Sequence, residues 1–199
     1  MGRVIFDISM SLDGFMTAAA NRRPDQPMGD GGLRLVEWAF GNDERDHDVL
    51  VSGVASTSAV IAGRRTYDDS LPWWGADGPT GPDRLPVFVL THHVPETAPE
   101  GGVYTFVTDG IEEALNRAIA AAGDGKNVCV MGGAQTGQAY LRAGLIDELS
   151  IHLVPVLFGN GTRMFDNLFD KPGGQHLQLE NLGSVQTPSA THLRFKIVK

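Results

Sequence analysis

Cysteine is almost absent: Cys129 is the only one among 199 residues, and it sits in an apolar run. A disulfide within the chain is excluded, and so is a zinc site of several cysteines. Histidine is sparse as well. His47, His92, His93, His152, His176 and His192 show no His-Glu-x-x-His or similar ligand spacing, so no metal site is expected. Positive charge is short, with 16 Lys and Arg against 24 Asp and Glu and a net charge of −8. That balance argues against a nucleic-acid or membrane-surface protein, which needs a basic face. It still allows a phosphorylated ligand held by a few local arginines and helix N-termini. No apolar stretch reaches membrane-spanning length and no basic-then-apolar leader opens the chain, so a cytoplasmic protein is expected. There is no Gly-x-Ser-x-Gly elbow and no Walker A loop. Glycines 29, 31 and 32 neither follow a strand nor open a helix, as a Rossmann fingerprint requires. Internal repeats and low-complexity segments are absent.

What is present fits one domain over residues 1–199, long enough to bury a core without staples. Hydrophobic residues make up 42% and charged residues 20%, a globular composition. Arg3 to Ser9 reads as a first strand, and Met10 to Gly32, rich in Gly, Pro, Asn and Asp, as a long loop. Leu33 to Phe40 reads as a short helix and Asp43 to Ala55 as a second, acidic at its start. Ala59 to Ala62, Pro86 to Leu90, Val103 to Val107 and Asn127 to Met131 are short strands, and Leu71 to Arg84 is a Pro/Gly loop. Ile111 to Ala122 places its apolar residues at helical spacing, with Asp109 and Glu112 as a capping pair and Gly123 as the stop. A helix from Ala134 to about Ala143 follows. The segments from Leu149, from Leu177 to Leu182 and from Thr191 to Val198 alternate. Strands alternating with helices, then strands in succession, predict an α/β sheet, mostly parallel, with an antiparallel C-terminal edge. Asn160-Gly161-Thr162 matches a glycosylation sequon and reads as an Asn-Gly turn.

Three strand ends carry chemistry. Gly132-Gly133 lies between a strand and a helix, so the backbone can approach a bulky ligand and the helix N–H groups face it. Ala134, Gln135 and Thr136 form the first turn of that helix, the last two polar. Gly63-Arg64-Arg65-Thr66 repeats the arrangement with two cations and a hydroxyl. Thr91-His92-His93 offers a hydroxyl and two imidazoles at a third strand end. Taken alone, each also reads as a tight turn, an ordinary helix start or a polar loop. Two such turns in one sheet point to a diphosphate, because ligands of open α/β sheets gather at the carboxyl ends of strands.

These residues resemble the dihydrofolate reductase-like superfamily. The resemblance rests on Ser11-Leu12-Asp13-Gly14 after the first strand, Gly63-Arg64-Arg65-Thr66-Tyr67, and Gly132-Gly133-Ala134 after a buried strand. Leu141-Arg142-Ala143-Gly144-Leu145-Ile146-Asp147-Glu148-Leu149 and Val154-Pro155-Val156-Leu157-Phe158-Gly159 are similar to the reductase domain of the bifunctional riboflavin deaminase–reductase family. The likeness runs from Val4 to about Phe165.

The resemblance implies a sheet of about eight strands with flanking helices and NADPH bound across the strand ends. It implies that Gly63, Arg64, Arg65 and Thr66 hold cofactor phosphate, that Thr91 and His92 lie near the adenosine 2′-phosphate, and that Gly132, Gly133, Ala134, Gln135 and Thr136 meet the diphosphate and the nicotinamide side. The Met10–Arg23 loop then closes over the nicotinamide. The expected activity is NADPH-dependent reduction of a heterocycle of the 5-amino-6-(5-phosphoribosylamino)uracil type, by a homodimer. Dihydrofolate reduction is the same-class alternative; a nucleotide- or flavin-binding protein without turnover is the other. Two departures bear on substrate. The zinc-deaminase half, with its His-x-Glu and Cys-x-x-Cys ligands, is absent, and Met131 stands where the riboflavin reductases carry Glu before Gly-Gly. Dihydrofolate reductase needs a helix carboxylate, and Asp46 and Asp48 are only loosely in that place. Asp13 and Asp48 are the catalytic candidates, and Asp13 and Met131 the substrate-pocket candidates. Asp13 also reads as a loop cap before Gly14, and the Arg22-Arg23 pair could meet a substrate phosphate.

Overall fold

The computed structural model describes residues 2–19, 22–23, 25–123, 125–166, 168–169 and 176–199. The strands are β1 (Val4–Ser11), β2 (Phe15–Ala18), β3 (Thr57–Gly63), β4 (Val87–Leu90), β5 (Tyr104–Val107), β6 (Asn127–Met131), β7 (Glu148–Val154), β8 (Gly161–Arg163), β9 (Leu179–Gln186) and β10 (Thr191–Ile197). The helices are α1 (Glu44–Ser56), α2 (Arg64–Trp74), α3 (Ile111–Ala122) and α4 (Ala134–Arg142). Eight strands form one sheet in the order β5-β4-β3-β6-β1-β7-β10-β9. Pairing is parallel from β5 through β7 and antiparallel at β7–β10 and β10–β9. This is the α/β sheet with an antiparallel C-terminal edge that the pattern predicts.

Ala59, Val60, Ile61 and Ala62 are all buried, because the middle of a parallel sheet is covered on both faces. One face carries Phe6, Ile61 and Val130 and packs Ala114, Leu115 and Ala118 of α3 with Tyr140 and Leu141 of α4. The other carries Val60, Ala62 and Val89 and packs Tyr67 of α2 with Cys129 and Met131 at its margin. β9 is exposed along its whole length, as the outer strand of the sheet.

Several local readings differ. The 10–32 loop contains β2, which pairs with β8 about 145 residues later, a partner no local pattern reveals. The expected helix at Leu33–Phe40 is two 3₁₀ turns, Gly32–Leu35 and Glu37–Phe40. α2 runs through Pro72 to Trp74 instead of yielding to a loop at Leu71. Pro72 removes one donor two residues before the helix ends, where little remains to break. The cap of α3 is Gly110 with no side-chain bond, so Asp109 and Glu112 form no capping pair; Asp109 lies 3.6 Å from Arg117 instead. Asp43 does cap α1, accepting from the Arg45 N–H at 3.0 Å.

Candidate active site

β3 leads through α2 outward to β4, whereas β6 leads through α4 past β1 to β7. Neighbouring parallel strands therefore send their helices to opposite faces, and a crevice opens at their carboxyl ends. Ala62 and Met131 are register partners there, so the Gly63 and Gly132-Gly133 turns sit side by side. A Cβ on Gly63 would overlap the Thr136 hydroxyl, and one on Gly132 would meet Thr66 Cγ2 at 2.7 Å and Oγ1 at 2.9 Å. Gly132 and Gly133 have φ of 78° and 81°, which side chains rarely adopt. Neither α2 nor α4 has a side-chain cap on its first N–H groups. Two uncapped helix N-termini with two threonine hydroxyls thus converge on a glycine-lined crevice, a donor set suited to a diphosphate.

The arginines divide. The Arg64 guanidinium bonds Asp68 at 2.8 Å, the Thr91 hydroxyl at 3.2 Å and the His93 carbonyl at 2.8 Å. It ties the end of β4 to α2 and brings Thr91 to the same rim. Arg65 is exposed and acts through its charge on the Asp69 carboxylate. His92 and Gln135 are exposed, while Ala134 is buried beneath the turn.

The loop candidates fall elsewhere. The Asp13 carboxylate accepts from Ser11 Oγ at 2.6 Å, Phe158 N at 3.2 Å and Gly159 N at 2.7 Å. The Ser11 bond, with the two backbone donors, holds its pKa below the ordinary value against partial burial. Asp13 clamps the loop after β7 to the loop after β1, the turn-capping reading of that residue. Arg22 pairs with Asp69 and bonds the Pro27 carbonyl at 2.6 Å, while Arg23 pairs with Asp25 and Asp30. Both cations are engaged by the protein, so a phosphate would have to displace carboxylates. A cavity of about 290 Å³ lies beside β2 and β8, with Thr17, Arg22 and Thr162 in its wall.

Asp48 points to solvent from the outer side of α1, and the carboxylate of that helix that turns inward is Asp46. Asp46 Oδ1 lies 2.7 Å from His192 Nε2, and Ser189 Oγ donates to Oδ2. His192 Nδ1 lies 2.7 Å from His152 Nδ1, and His152 Nε2 lies 3.3 Å from Asp7 Oδ1. Asp7 is the register partner of Met131. Burial alone would raise Asp7 and Asp46, but His152 and Ser150 at the first, and Ser189, His192 and Thr187 at the second, hold both carboxyls below the ordinary range. Burial pushes His192 down, and the bond to Asp46 opposes this without cancelling it. In the sequence these histidines stand out only by their lack of metal-ligand spacing. The signal was their place in alternating strands, but the register that sets His192 opposite His152 needs the folded sheet.

The architecture has relatives among solved structures. A Shewanella sp. PV-4 protein assigned to riboflavin biosynthesis is 22% identical, with a TM-score of 0.71 and all of both chains covered. The Thermotoga maritima diaminohydroxyphosphoribosylaminopyrimidine deaminase/5-amino-6-(5-phosphoribosylamino)uracil reductase is 14% identical, with a TM-score of 0.68 over 99% of this chain and 57% of the other. The present chain thus spans little more than half of that bifunctional enzyme. Enterococcus faecalis dihydrofolate reductase, solved with NADP(H), is 14% identical, with a TM-score of 0.59 over 98% and 97% of the two chains. These likenesses establish a dihydrofolate reductase-like fold. Residues 3–193 match the model of the RibD C-terminal domain, and the chain belongs to that family.

Proposed function

We propose that the protein is an NADPH-dependent reductase of a heterocycle of the 5-amino-6-(5-phosphoribosylamino)uracil type. The observation that carries this reading is the convergence of two uncapped helix N-termini on the crevice between β3 and β6, where Thr136 and Thr66 pack so closely on Gly63 and Gly132 that neither position has room for a Cβ. The residues suit a dinucleotide diphosphate. The N–H groups opening α2 and α4, with Thr66 and Thr136, would hold the phosphates, Arg65 would add a cation, and Thr91 and His92 would lie toward the adenosine end. Bound there, NADPH supplies hydride; the protein supplies placement and a proton.

Dihydrofolate is the weaker substrate. Its reduction calls for a helix carboxylate facing the ring, and the inward carboxylate, Asp46, has both oxygens occupied by His192 and Ser189. Met131 gives a flat ring an apolar floor beside Asp7.

The test offers the purified protein NADPH with the ribosylaminouracil phosphate and, separately, with dihydrofolate, following absorbance at 340 nm. Turnover of the first alone is expected. Faster turnover of dihydrofolate would replace the substrate assigned here. Tight NADPH binding with turnover of neither would favour a nucleotide-binding protein, and blue absorbance of the purified protein a flavin-binding one.

A further inference from the structure

We propose that Asp7, His152, His192 and Asp46 form a proton-donating chain whose open end, Asp7 beside Met131, gives the substrate the proton that reduction consumes. The inference rests on the reductase reading above and adds a proton source within this fold.

Geometry makes the chain continuous. Ser9, His152 and His192 are register partners across β1, β7 and β10, so both imidazoles lie on one rung of the sheet. Three contacts link the four groups: Asp7 to His152 at 3.3 Å, His152 to His192 at 2.7 Å, and His192 to Asp46 at 2.7 Å. Trp38 roofs the rung, its ring centroid 4.2 Å from that of His152 and 4.8 Å from that of His192, while its Nε1–H is held by Ser9 Oγ at 2.9 Å. The far end is sealed, since Asp46 is 1% exposed. The near end is open, since the Asp7 side chain is 31% exposed. β6 pairs with β1 only as far as Asp7, and β1 continues to Ser11 beside β7 alone. The sheet therefore has a notch next to Asp7, at the strand that leads into Gly132-Gly133.

The links fix the proton count. Two bare nitrogens facing each other at this distance repel, as do two protonated ones, so the Nδ1–Nδ1 contact holds one proton. Each carboxylate contact holds another on the facing Nε2. Three protons on four ring nitrogens make one ring neutral and the other an imidazolium. The shared Nδ1 proton lies between the two rings, and His152 is the ring that faces Asp7, so a cation carried there stands next to the open end. The other groups that act on the chain are Cys129 from β6, next to Asp7, Ser150 from β7, Thr187 and Ser189 before β10, and Arg45 on α1, next to Asp46.

The step balances. With hydride supplied to the carbon of a C=N or C=O bond in the substrate by the nicotinamide that the crevice would hold, the π electron pair would move to the heteroatom. The Asp7 carboxylate first accepts the Nε2 proton of His152, and the carboxyl so formed gives a proton to that atom and returns to carboxylate. His152 becomes neutral and keeps its Nδ1 proton toward His192, and solvent restores the lost proton through the open end. Asp7 is the catalytic residue; His192 and Asp46 are positioning residues that fix the His152 tautomer.

The experiment has two arms. In the first, histidine ring nitrogens of the ¹⁵N-labelled protein are observed by NMR without substrate. Three of the four nitrogens of His152 and His192 should be protonated at pH 7, falling to two in Asp7→Asn, with His47→Gln as a control on the exposed side of α1. A count of two in the wild type, or no change in Asp7→Asn, overturns the proposal. In the second arm, Asp46→Asn and Asp7→Asn are assayed with NADPH and the ribosylaminouracil phosphate. Both should lower kcat, Asp7→Asn by roughly a hundredfold or more, within the usual range for losing a general acid. NADPH Kd should not change, and the acid limb of the pH–rate profile should move. An unmoved profile overturns the chain. Absence of turnover in the wild type counts against the reductase reading, whereas a proton count of two counts against the chain, and the two failures are read from different samples.

Discussion

The side chain of Thr66 occupies the space that a Cβ on Gly132 would need, its Cγ2 only 2.7 Å from that position. The contact joins the two glycine turns from opposite faces of the sheet. Gly132→Ala has to meet both this overlap and a φ of 78°. We predict a loss of stability of about 1–3 kcal/mol, with weaker NADPH binding. The double variant Gly132→Ala/Thr66→Ala should recover the steric part and keep the backbone part, so the two changes should not add. Urea denaturation of the four proteins measures the coupling, and strict additivity would place Thr66 away from Gly132.

Arg65 should contribute more to cofactor affinity than Arg64. The Arg64 guanidinium is already bonded to Asp68, Thr91 and the His93 carbonyl, so a phosphate would have to break those bonds. A charge-assisted bond to phosphate is worth about 1.5–3 kcal/mol, so Arg65→Ala should raise the NADPH Kd roughly ten- to a hundredfold. Arg64→Ala should mainly loosen the link between β4 and α2, seen as a lower Tm. Tryptophan quenching on NADPH titration separates the two. Equal losses of affinity would mean that Arg64 leaves Asp68 for the cofactor.

Stability should fall on acidification in two stages. His192 has a lowered pKa in the folded protein, so between its folded value and the unfolded value of about 6.5 the unfolded chain binds the extra proton. Stability is therefore lost as pH drops through that window. Asp7 and Asp46 are also held low, so their contribution is present above the unfolded value of about 3.9 and is lost as pH falls through their folded values. Urea midpoints from pH 7 to pH 3 should show both stages. His192→Gln should remove the upper one, and an unchanged upper stage would place the responsible titration elsewhere.

The strands of the main sheet, α1, α3, α4 and the two glycine turns were legible because they rest on local signals. Apolar runs mark β3 and β6, helical spacing marks α3, and Gly-Gly marks the start of α4. The proton-donating chain was not legible, because its four members come from β1, α1, β7 and β10 and meet only through sheet register. Asp48 looked equivalent to Asp46 in sequence, yet the two lie two residues apart on a helix and therefore cannot share a face. β2 was hidden for the same reason as the chain: its partner β8 is distant in sequence.

The ion pair between Arg22 and Asp69 fastens the 12–31 loop to α2, the helix that opens at Gly63. Burial, the largest influence, raises the Asp69 pKa, and Arg22 and Arg65 pull it down without restoring the ordinary value. The pair is partly exposed, with side-chain exposures of 29% and 34%, so its contribution to global stability should be small, about 0.2–1 kcal/mol. Its effect should instead be local. Asp69→Asn should free the Arg22 side chain and let trypsin cut after Arg22 several times faster, with Tm almost unchanged. The Pro27 carbonyl still holds Arg22 Nε at 2.6 Å, so cleavage should stay slower than in Asp69→Asn/Pro27→Gly, where that segment also loses its fixed φ. Saturating NADPH should slow cleavage in the wild type and in Asp69→Asn alike if the loop covers the cofactor. Protection by NADPH in neither protein would mean that the loop docks on α2 without reaching the crevice, and the Met10–Arg23 segment would then have no part in closing over the nicotinamide.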